Sequence, residues 1–200
     1  MTIRFRVLLA VSIAVIWTCV AQVRAADEGS KPQQHQHVAA AEHHAASGAV
    51  DSAVCVLWPV GNSGVTGTVS FTRHGKVVHI RGEIRGLTPG KHGFHVHEYG
   101  DLTSMNDGMS LGGHFNPTHK PHGRPTDQQR HEGDFGNVVA NESGVATIDA
   151  EDPVVELNGP HSIIGRGLVV HAKEDKFTQP VGDAGARVAV GVIGVAKPAK

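Results

Sequence analysis

The chain is poor in cysteine and aromatic residues and carries almost no net charge, and each of these shortages excludes a class of function. Its 200 residues include two cysteines, 4% aromatic residues and a formal net charge of −1. Arg4, Arg6 and Arg24 lie in the first 25 residues, where there is no acid, so the remaining 15 basic and 19 acidic residues leave a charge of −4. This balance argues against binding a polyanion, and the shortage of rings argues against base stacking. We therefore expect no nucleic-acid partner.

Long apolar runs are also scarce, and the clearest one lies at the N-terminus. Two arginines precede an apolar run from Val7 to Val20, and small residues follow around Ala25-Ala26. A basic start, a short apolar core and small residues predict a secretory signal over residues 1–25, cleaved near Ala25-Ala26. The run is too short for a stable membrane span, and lipidation of Cys19 or retention as an anchor is the weaker interpretation. We expect export to a periplasm or to the extracellular space.

Cleavage of this signal would leave Cys55 as the single cysteine, so the mature chain has no intrachain disulfide. Cys55 lies between two valines in a strand-like run, which predicts a small buried apolar residue. Histidine, by contrast, is abundant, with 15 copies. Because imidazole is the commonest metal ligand and a common acid–base group, the chemistry of the chain is expected there.

Residues 26–48 have no apolar periodicity and contain four histidines within ten positions, His35, His37, His43 and His44. This composition predicts a disordered, histidine-rich tail ahead of one domain over residues 49–200. A solvated linker and a weak capture site for copper or zinc are both compatible with it. The two interpretations differ in whether deleting the tail slows metal loading at limiting copper.

The rest of the chain shows short runs rich in Val, Ile and Thr that are separated by glycine-containing turns. The predicted strands are Ala53–Val60, Gly64–Arg73, Lys76–Arg85, Gly93–Glu98, Gly133–Ala140, Gly144–Asp149, Ile163–His171 and Ala186–Val195. They indicate an all-β fold, an eight-stranded antiparallel Greek-key sandwich or flattened barrel. Residues 99–132 and 172–185 do not fit strands, and long loops in a compact domain are typically functional.

A candidate metal site begins with His95 and His97, two positions apart in a strand-like run. Residues two apart on a strand point to the same face, so both imidazoles can reach one ion. On its own, the pair is more typical of a polar solvent-facing strand. His171, which ends another apolar run, would complete an imidazole-rich set that suits Cu(II).

A second candidate site lies in the long loop, where glycines and prolines let the chain fold back on itself. Three histidines and one aspartate are placed there, His114, His122, His131 and Asp134. Three imidazoles and one carboxylate form a tetrahedral set suited to zinc. With no open coordination position, such a site is structural, and metal binding would order the loop that no disulfide holds.

At this point the motifs resemble those of copper/zinc superoxide dismutase. The matching blocks are Gly93-Phe94-His95-Val96-His97-Glu98, His114-Phe115-Asn116-Pro117, Arg130-His131-Glu132-Gly133-Asp134, Gly136-Asn137-Val138, Ile163-Ile164-Gly165-Arg166 and Gly191-Val192-Ile193-Gly194. They occur in the family's order over residues 53–196. The resemblance implies dismutation of superoxide to oxygen and hydrogen peroxide, with one copper and one zinc ion per chain.

The resemblance also implies a role for each matching residue. Copper would be bound by His95, His97, His114 and His171, and zinc by His114, His122, His131 and Asp134. His114 would be a catalytic imidazolate that bridges copper and zinc. The grouping by spacing alone had assigned His114 to the zinc site only. Asp175 would link His95 to His122, although a solvated loop acid is the alternative, and His92 would support the copper strand by packing. Arg187 would be the arginine that attracts and orients superoxide.

The resemblance also implies partners for the chain. The positions that resemble a dimer interface are Gly100, Ile164, Gly165 and Val195, so we expect a homodimer, and we also expect a copper donor.

The chain departs from the family at two points. Family members usually join the long loop to the last strand by a disulfide, but this chain has no cysteine at Gly108 or its neighbours in the loop, and it has Val190 in the strand. Residues 172–185 also look shorter than the family's second loop. A secreted copper-binding or copper-delivery protein with little turnover is the alternative function.

Overall fold

A computed structural model describes residues 48–198, so the predicted signal sequence and the tail up to residue 47 lie outside the described residues. It contains nine strand segments and one 3-10 turn, Met109–Leu111. The strands are β1 (Ser52–Pro59), β2 (Thr66–His74), β3 (Val77–Arg85), β4 (Gly90–His97), β5 (Asp134–Ala140), β6 (Val145–Asp152), β7 (Gly167–His171), β8 (Arg187–Val192) and β9 (Gly194–Val195). Within residues 48–198, no helix has the length and apolar character needed to cross a membrane.

The strands form one closed antiparallel barrel in the order β2-β3-β6-β5-β4-β7-β8-β1-β9, with an additional pairing between β2 and β1. Both β8 and β9 pair with β1, so they act as one strand interrupted at Ile193. The connections from β3 to β4 and from β6 to β7 cross over neighbouring strands, which is the Greek-key pattern. The predicted eight-stranded fold is therefore confirmed.

The predicted strand boundaries are shifted in several places, and the largest shift is in β7. The strand expected to start at Ile163 starts at Gly167 instead. In addition, β4 starts at Gly90 and not at Gly93, and β6 ends at Asp152 and not at Asp149. Gly165 has a φ of 80°, and the Arg166 N–H donates to the Ile163 carbonyl at 3.1 Å, so Ile163–Arg166 forms a turn. A glycine in this left-handed conformation ends the extended run in spite of the apolar sequence around it.

The core is built by the two-residue alternation of the strands. In β1, the side chains of Ala53, Cys55 and Leu57 point inward and are fully buried, whereas Val56 and Trp58 are exposed. Burial raises the pKa of the Cys55 thiol to about 12, so it stays protonated and inert.

Two long loops leave the barrel beside β4, which pairs with both β5 and β7. The long loop (residues 98–133) joins β4 to β5, and the second loop (residues 172–186) joins β7 to β8. The long loop packs on the outside of the barrel through a small apolar cluster of Val60, Leu111, Val169 and Val190 with Leu102 and Met105. A Cβ built on Gly108 would lie 3.2 Å from Val190 Cγ1, so these two positions, where the resemblance implies a disulfide, are in contact without one.

Candidate metal centre

The residues expected to bind copper form one cluster. His95 and His97 lie on β4, His171 ends β7, and His114 joins them from the long loop through a backbone bridge to His97. All four side chains are buried, and each offers a ligand atom within 4.8 Å of the others. The strand register therefore brings together imidazoles that are up to 76 positions apart in the chain.

Three buried ring nitrogens in this cluster have no hydrogen-bond partner among the described residues: His95 Nδ1, His97 Nε2 and His171 Nε2. The other nitrogen of each ring has a hydrogen-bond partner. His95 Nε2 lies 2.8 Å from Asp175 Oδ2, His97 Nδ1 lies 3.0 Å from the Gly112 carbonyl, and His171 Nδ1 lies 3.1 Å from the Gly185 carbonyl. Buried polar atoms without a partner are rare. Rings fixed on one side with free nitrogens on the other are arranged to bind a metal ion, and an imidazole-only set fits copper.

The buried copper-group imidazoles stay neutral. Burial lowers the pKa of His171 to about 3 and that of His114 to about 4, with further lowering by neighbouring histidines. Burial also holds the pKa of His97 well below its usual value. Neutral imidazoles keep a nitrogen lone pair available, as a metal ligand requires.

The residues expected to bind zinc form an adjoining cluster that shares His114. Asp134 is completely buried, and its Oδ1 lies 2.9 Å from His114 Nδ1 and 3.1 Å from His131 Nδ1. Its Oδ2 lies 2.9 Å from His122 Nδ1, although that contact lacks hydrogen-bond geometry and leaves the nitrogen without a partner among the described residues. Three imidazoles and one carboxylate that face one another fit a tetrahedral zinc ion.

The carboxylate of Asp134 is kept ionised by its surroundings. Burial alone would raise its pKa, but the contacts with His114, His122 and His131 outweigh burial and hold the pKa far below its usual range. The backbone N–H groups of Gly123 and His131 also donate to Oδ2, each at 3.0 Å. An ionised and oriented carboxylate is the form that binds a cation.

Asp175 connects the two clusters. Its side chain is completely buried, with Oδ2 at 2.8 Å from His95 Nε2 and Oδ1 at 3.0 Å from His122 Nε2. Burial opposes ionisation, but the contacts with His122 and His95 lower the pKa of Asp175 well below its usual value. The carboxylate therefore fixes the ring orientation of one residue from each cluster, which excludes the solvated-acid interpretation.

Two residues that support Asp175 escaped the sequence analysis. Asn137 donates through Nδ2 to the Asp175 carbonyl at 3.0 Å and accepts the Asp175 N–H at 2.7 Å. Gly182 approaches so closely that an added Cβ would lie 1.9 Å from Asp175 Oδ1. Asn137 belongs to a motif that resembles the family, but nothing in the sequence shows that it faces a residue 38 positions away.

Replacing Asp175 by Asn should weaken zinc binding about 10- to 100-fold, as expected when a carboxylate that orients a metal-binding histidine is lost. Competition with a chromophoric chelator would measure the zinc affinity. The matched control is Glu174→Gln, which removes the neighbouring exposed carboxylate that pairs with Lys91 at 2.8 Å. Equal zinc affinities for the two variants would contradict the linking role of Asp175.

Arg187 lies at the start of β8, in a cleft that also exposes His97, His114 and His171. Its guanidinium donates to the carbonyls of Gly108 and, at 2.5 Å, of Gly112, so both ends of the 3-10 turn hold it in place. Burial lowers the pKa of Arg187 somewhat, and Asp107 opposes this effect. A fixed cation thus lies in the same cleft as three of the copper-group histidines.

His92 stays outside both clusters. Its Nδ1 lies 2.8 Å from the His171 carbonyl, and its Nε2 lies 2.8 Å from the Thr88 carbonyl. It therefore joins the turn before β4 to the end of β7. His74, His79, His119 and His161, for which the sequence offered no ligand role, also lie outside the metal groups among the described residues.

Comparisons with known proteins agree with this geometry. The profile of the family described as copper/zinc superoxide dismutase matches residues 65–193. An extracellular superoxide dismutase (Cu-Zn) from Brugia pahangi is 51% identical over 144 residues, 67% of this chain and 71% of that protein. Superoxide dismutase (Cu-Zn) 2 from Mesembryanthemum crystallinum is 48% identical over 143 residues, 68% of this chain and 90% of that protein. The crystal structure of the clock protein EA4 is 44% identical, with a TM-score of 0.69 over 74% of this chain and 97% of that chain.

Proposed function

The chain belongs to the copper/zinc superoxide dismutase family, and we propose that it performs the family's reaction at the two adjoining clusters. Copper is assigned to His95, His97, His114 and His171, and zinc to His114, His122, His131 and Asp134. One observation carries this assignment: the ring nitrogens left without a partner in the buried copper group belong to three different histidines whose other nitrogens are all held.

The reaction converts two superoxide anions and two protons into one oxygen and one hydrogen peroxide molecule. Copper, when bound, supplies one-electron redox chemistry, and zinc, which does not change its oxidation state, supplies charge and geometry. His114 shares its ring between the clusters, with Nδ1 on Asp134, so its Nε2 is placed to hold and deliver a proton on the copper side. Asp175 keeps the rings of His95 and His122 oriented throughout.

The direct test is superoxide decay by the full chain, loaded with copper and zinc or with zinc alone. We expect rapid, copper-dependent decay by the doubly loaded protein. Slow decay despite full occupancy of both sites would support the copper-binding alternative. Metal content measured on the same samples separates that outcome from incomplete loading.

Arg187 is assigned to attract and orient superoxide in the cleft. We expect Arg187→Ala to lower kcat/KM at least about tenfold, because a hydrogen bond to a charged group is worth about 1.5–3 kcal/mol. Arg187→Lys keeps the charge but loses the paired contacts with two carbonyls, so an intermediate value is expected. Pulse radiolysis at several ionic strengths would measure both. An unchanged kcat/KM for the alanine variant, with normal copper content, would contradict the role.

A second copy of this chain is the proposed partner. Val195 and Tyr99 are 61% and 57% exposed, although both are large apolar or aromatic side chains. Tyr99 precedes Gly100, which approaches Gly165 so closely that a Cβ on Gly100 would be 2.2 Å from the Gly165 carbonyl oxygen. The Gly165 N–H in turn donates at 2.8 Å to the carbonyl of Ile193, two residues before Val195. This exposed apolar surface supports a dimer. Sedimentation equilibrium should show a dimer that Gly165→Arg dissociates, and a monomeric unsubstituted protein would contradict the proposal.

We also propose that the protein is exported. The basic and apolar N-terminus supports this, as does the similarity to an extracellular relative. N-terminal sequencing of the protein recovered outside the cytoplasm should begin near Ala26. A metal-loading role for residues 26–47 would be tested by deleting that segment and measuring loading at limiting copper.

A further inference from the structure

Met109 is an exposed residue of the cleft that contains three of the copper-group histidines. Its side chain is 63% exposed, and it lines the cleft together with His97, His171 and Arg187. Met105, from the same loop, packs instead against the small apolar cluster beneath it. The thioether of Met109 is therefore open to the cleft and is not used in packing.

The backbone of Met109 is fixed although its side chain is free. Its N–H donates to Asp107 Oδ1 at 2.9 Å, and its carbonyl accepts the Gly112 N–H at 3.2 Å. The carbonyls of Gly108 and Gly112, on either side, hold the Arg187 guanidinium. A long unbranched side chain on this anchored turn can move across the cleft without disturbing the loop.

The donors in the cleft differ in their preference for copper oxidation states. A thioether is a soft ligand that favours Cu(I), whereas the carboxylates of Asp107 and Asp183 favour harder ions. Charge does not select between the two ions, because Cu(II) is repelled twice as strongly as Cu(I) by Arg187 and attracted twice as strongly by Asp107 and Asp183, which line the same cleft. The softness of the thioether is what favours the singly charged ion.

The histidines of the copper group are unequally accessible from this cleft. His97, His114 and His171 line it, whereas His95 is completely buried and does not. Of the three, His97 and His171 have an Nε2 atom without a partner among the described residues. An ion entering through the cleft therefore reaches His97 and His171 before His95.

We propose that Met109 is the entry ligand for Cu(I), which it holds transiently with His97 and His171 before the ion reaches the full four-histidine site. Only ligand exchange is involved: the sulfur–copper bond breaks as imidazole nitrogens replace it, and no electron is transferred. The inference rests on the proposed copper site and adds the route and oxidation state by which copper reaches it.

The test measures copper uptake by the zinc-loaded, copper-free full chain. Copper is supplied either anaerobically as the Cu(I)–bicinchoninate complex or as a Cu(II) salt. We expect Met109→Leu to slow Cu(I) uptake about tenfold, which corresponds to about 1.4 kcal/mol, and to leave the rate of Cu(II) uptake unchanged. Met109→Gln, of similar length but with a hard oxygen donor, should behave like the leucine variant.

Met105→Leu is the matched control, since it removes the thioether that packs against the barrel. All variants keep residues 26–47, so any copper held there contributes equally to each. If Met109→Leu slowed the uptake of Cu(I) and Cu(II) equally, or slowed neither, the entry role of Met109 would be overturned while the copper site stayed intact. Failure of the unsubstituted chain to take up either ion would instead overturn the copper site, and the inference with it.

Discussion

Replacing His171 by Ala is expected to lower the rate of superoxide dismutation at least about a hundredfold, because loss of a direct ligand should cost at least as much as loss of a residue that merely orients one. His171 reaches the copper group from the end of β7 with an unpartnered Nε2 and a pKa lowered to about 3. It belongs to the copper group and not to the zinc group. We therefore expect copper content to fall while zinc content stays the same.

The control for this substitution is His74→Ala, which removes an exposed imidazole that lies in neither metal group. Superoxide decay, copper content and zinc content would be measured on the same preparations. A fully active His171→Ala protein would refute the copper assignment. Loss of both metals together would show that His171 maintains the fold of the whole centre and does not act as a ligand of one ion.

Removing both metals is expected to lower Tm by at least about 15 °C. Structural zinc contributes about 10 kcal/mol or more in small zinc domains, and each kcal/mol shifts Tm by about 2–4 °C at this chain length. Without the ions, the Asp134 carboxylate and the surrounding imidazoles are buried with no cation to bind. The long loop that carries most of them has no disulfide to hold it.

Differential scanning calorimetry of the metal-free, zinc-only and doubly loaded protein would separate the two contributions. Zinc alone should restore most of the stability, since its residues lie on the long loop and at the start of β5. A Tm shift below about 5 °C would show that barrel packing alone orders the loop. Asp134→Asn should give nearly the same low Tm with or without zinc.

The fold was predictable because its core follows simple rules. Alternating apolar residues with glycine turns gave all eight strands, and the two long loops followed from the absence of that alternation. The strand expected from Ile163 was placed too early because apolar residues also fill a turn when they pack inward. Ile163 is fully buried although it lies outside any strand.

The candidate site was less predictable from the sequence than the fold. His95 and His97 share a face by strand periodicity, but the sharing of His114 between two ions came from the resemblance and not from spacing. The role of Asn137 was missed because its side chain contacts the backbone of a residue 38 positions away. The carbonyls of Gly108 and Gly112 were missed because a backbone carbonyl looks the same in every sequence, whichever residue carries it. Such contacts depend on how distant loops pack, which a local pattern does not encode.

The contact between Gly108 and Val190 determines how this protein responds to its chemical surroundings. The family resemblance implies a sulfur–sulfur bond at this point, and a loop held by such a bond responds to thiols and oxidants. Here the contact contains no sulfur, and the single cysteine of the described residues is buried in β1. Reductants therefore have no bond to break at the turn whose carbonyls hold Arg187. Assembly of the centre depends on the supply of copper and zinc ions, in reducing and oxidising compartments alike.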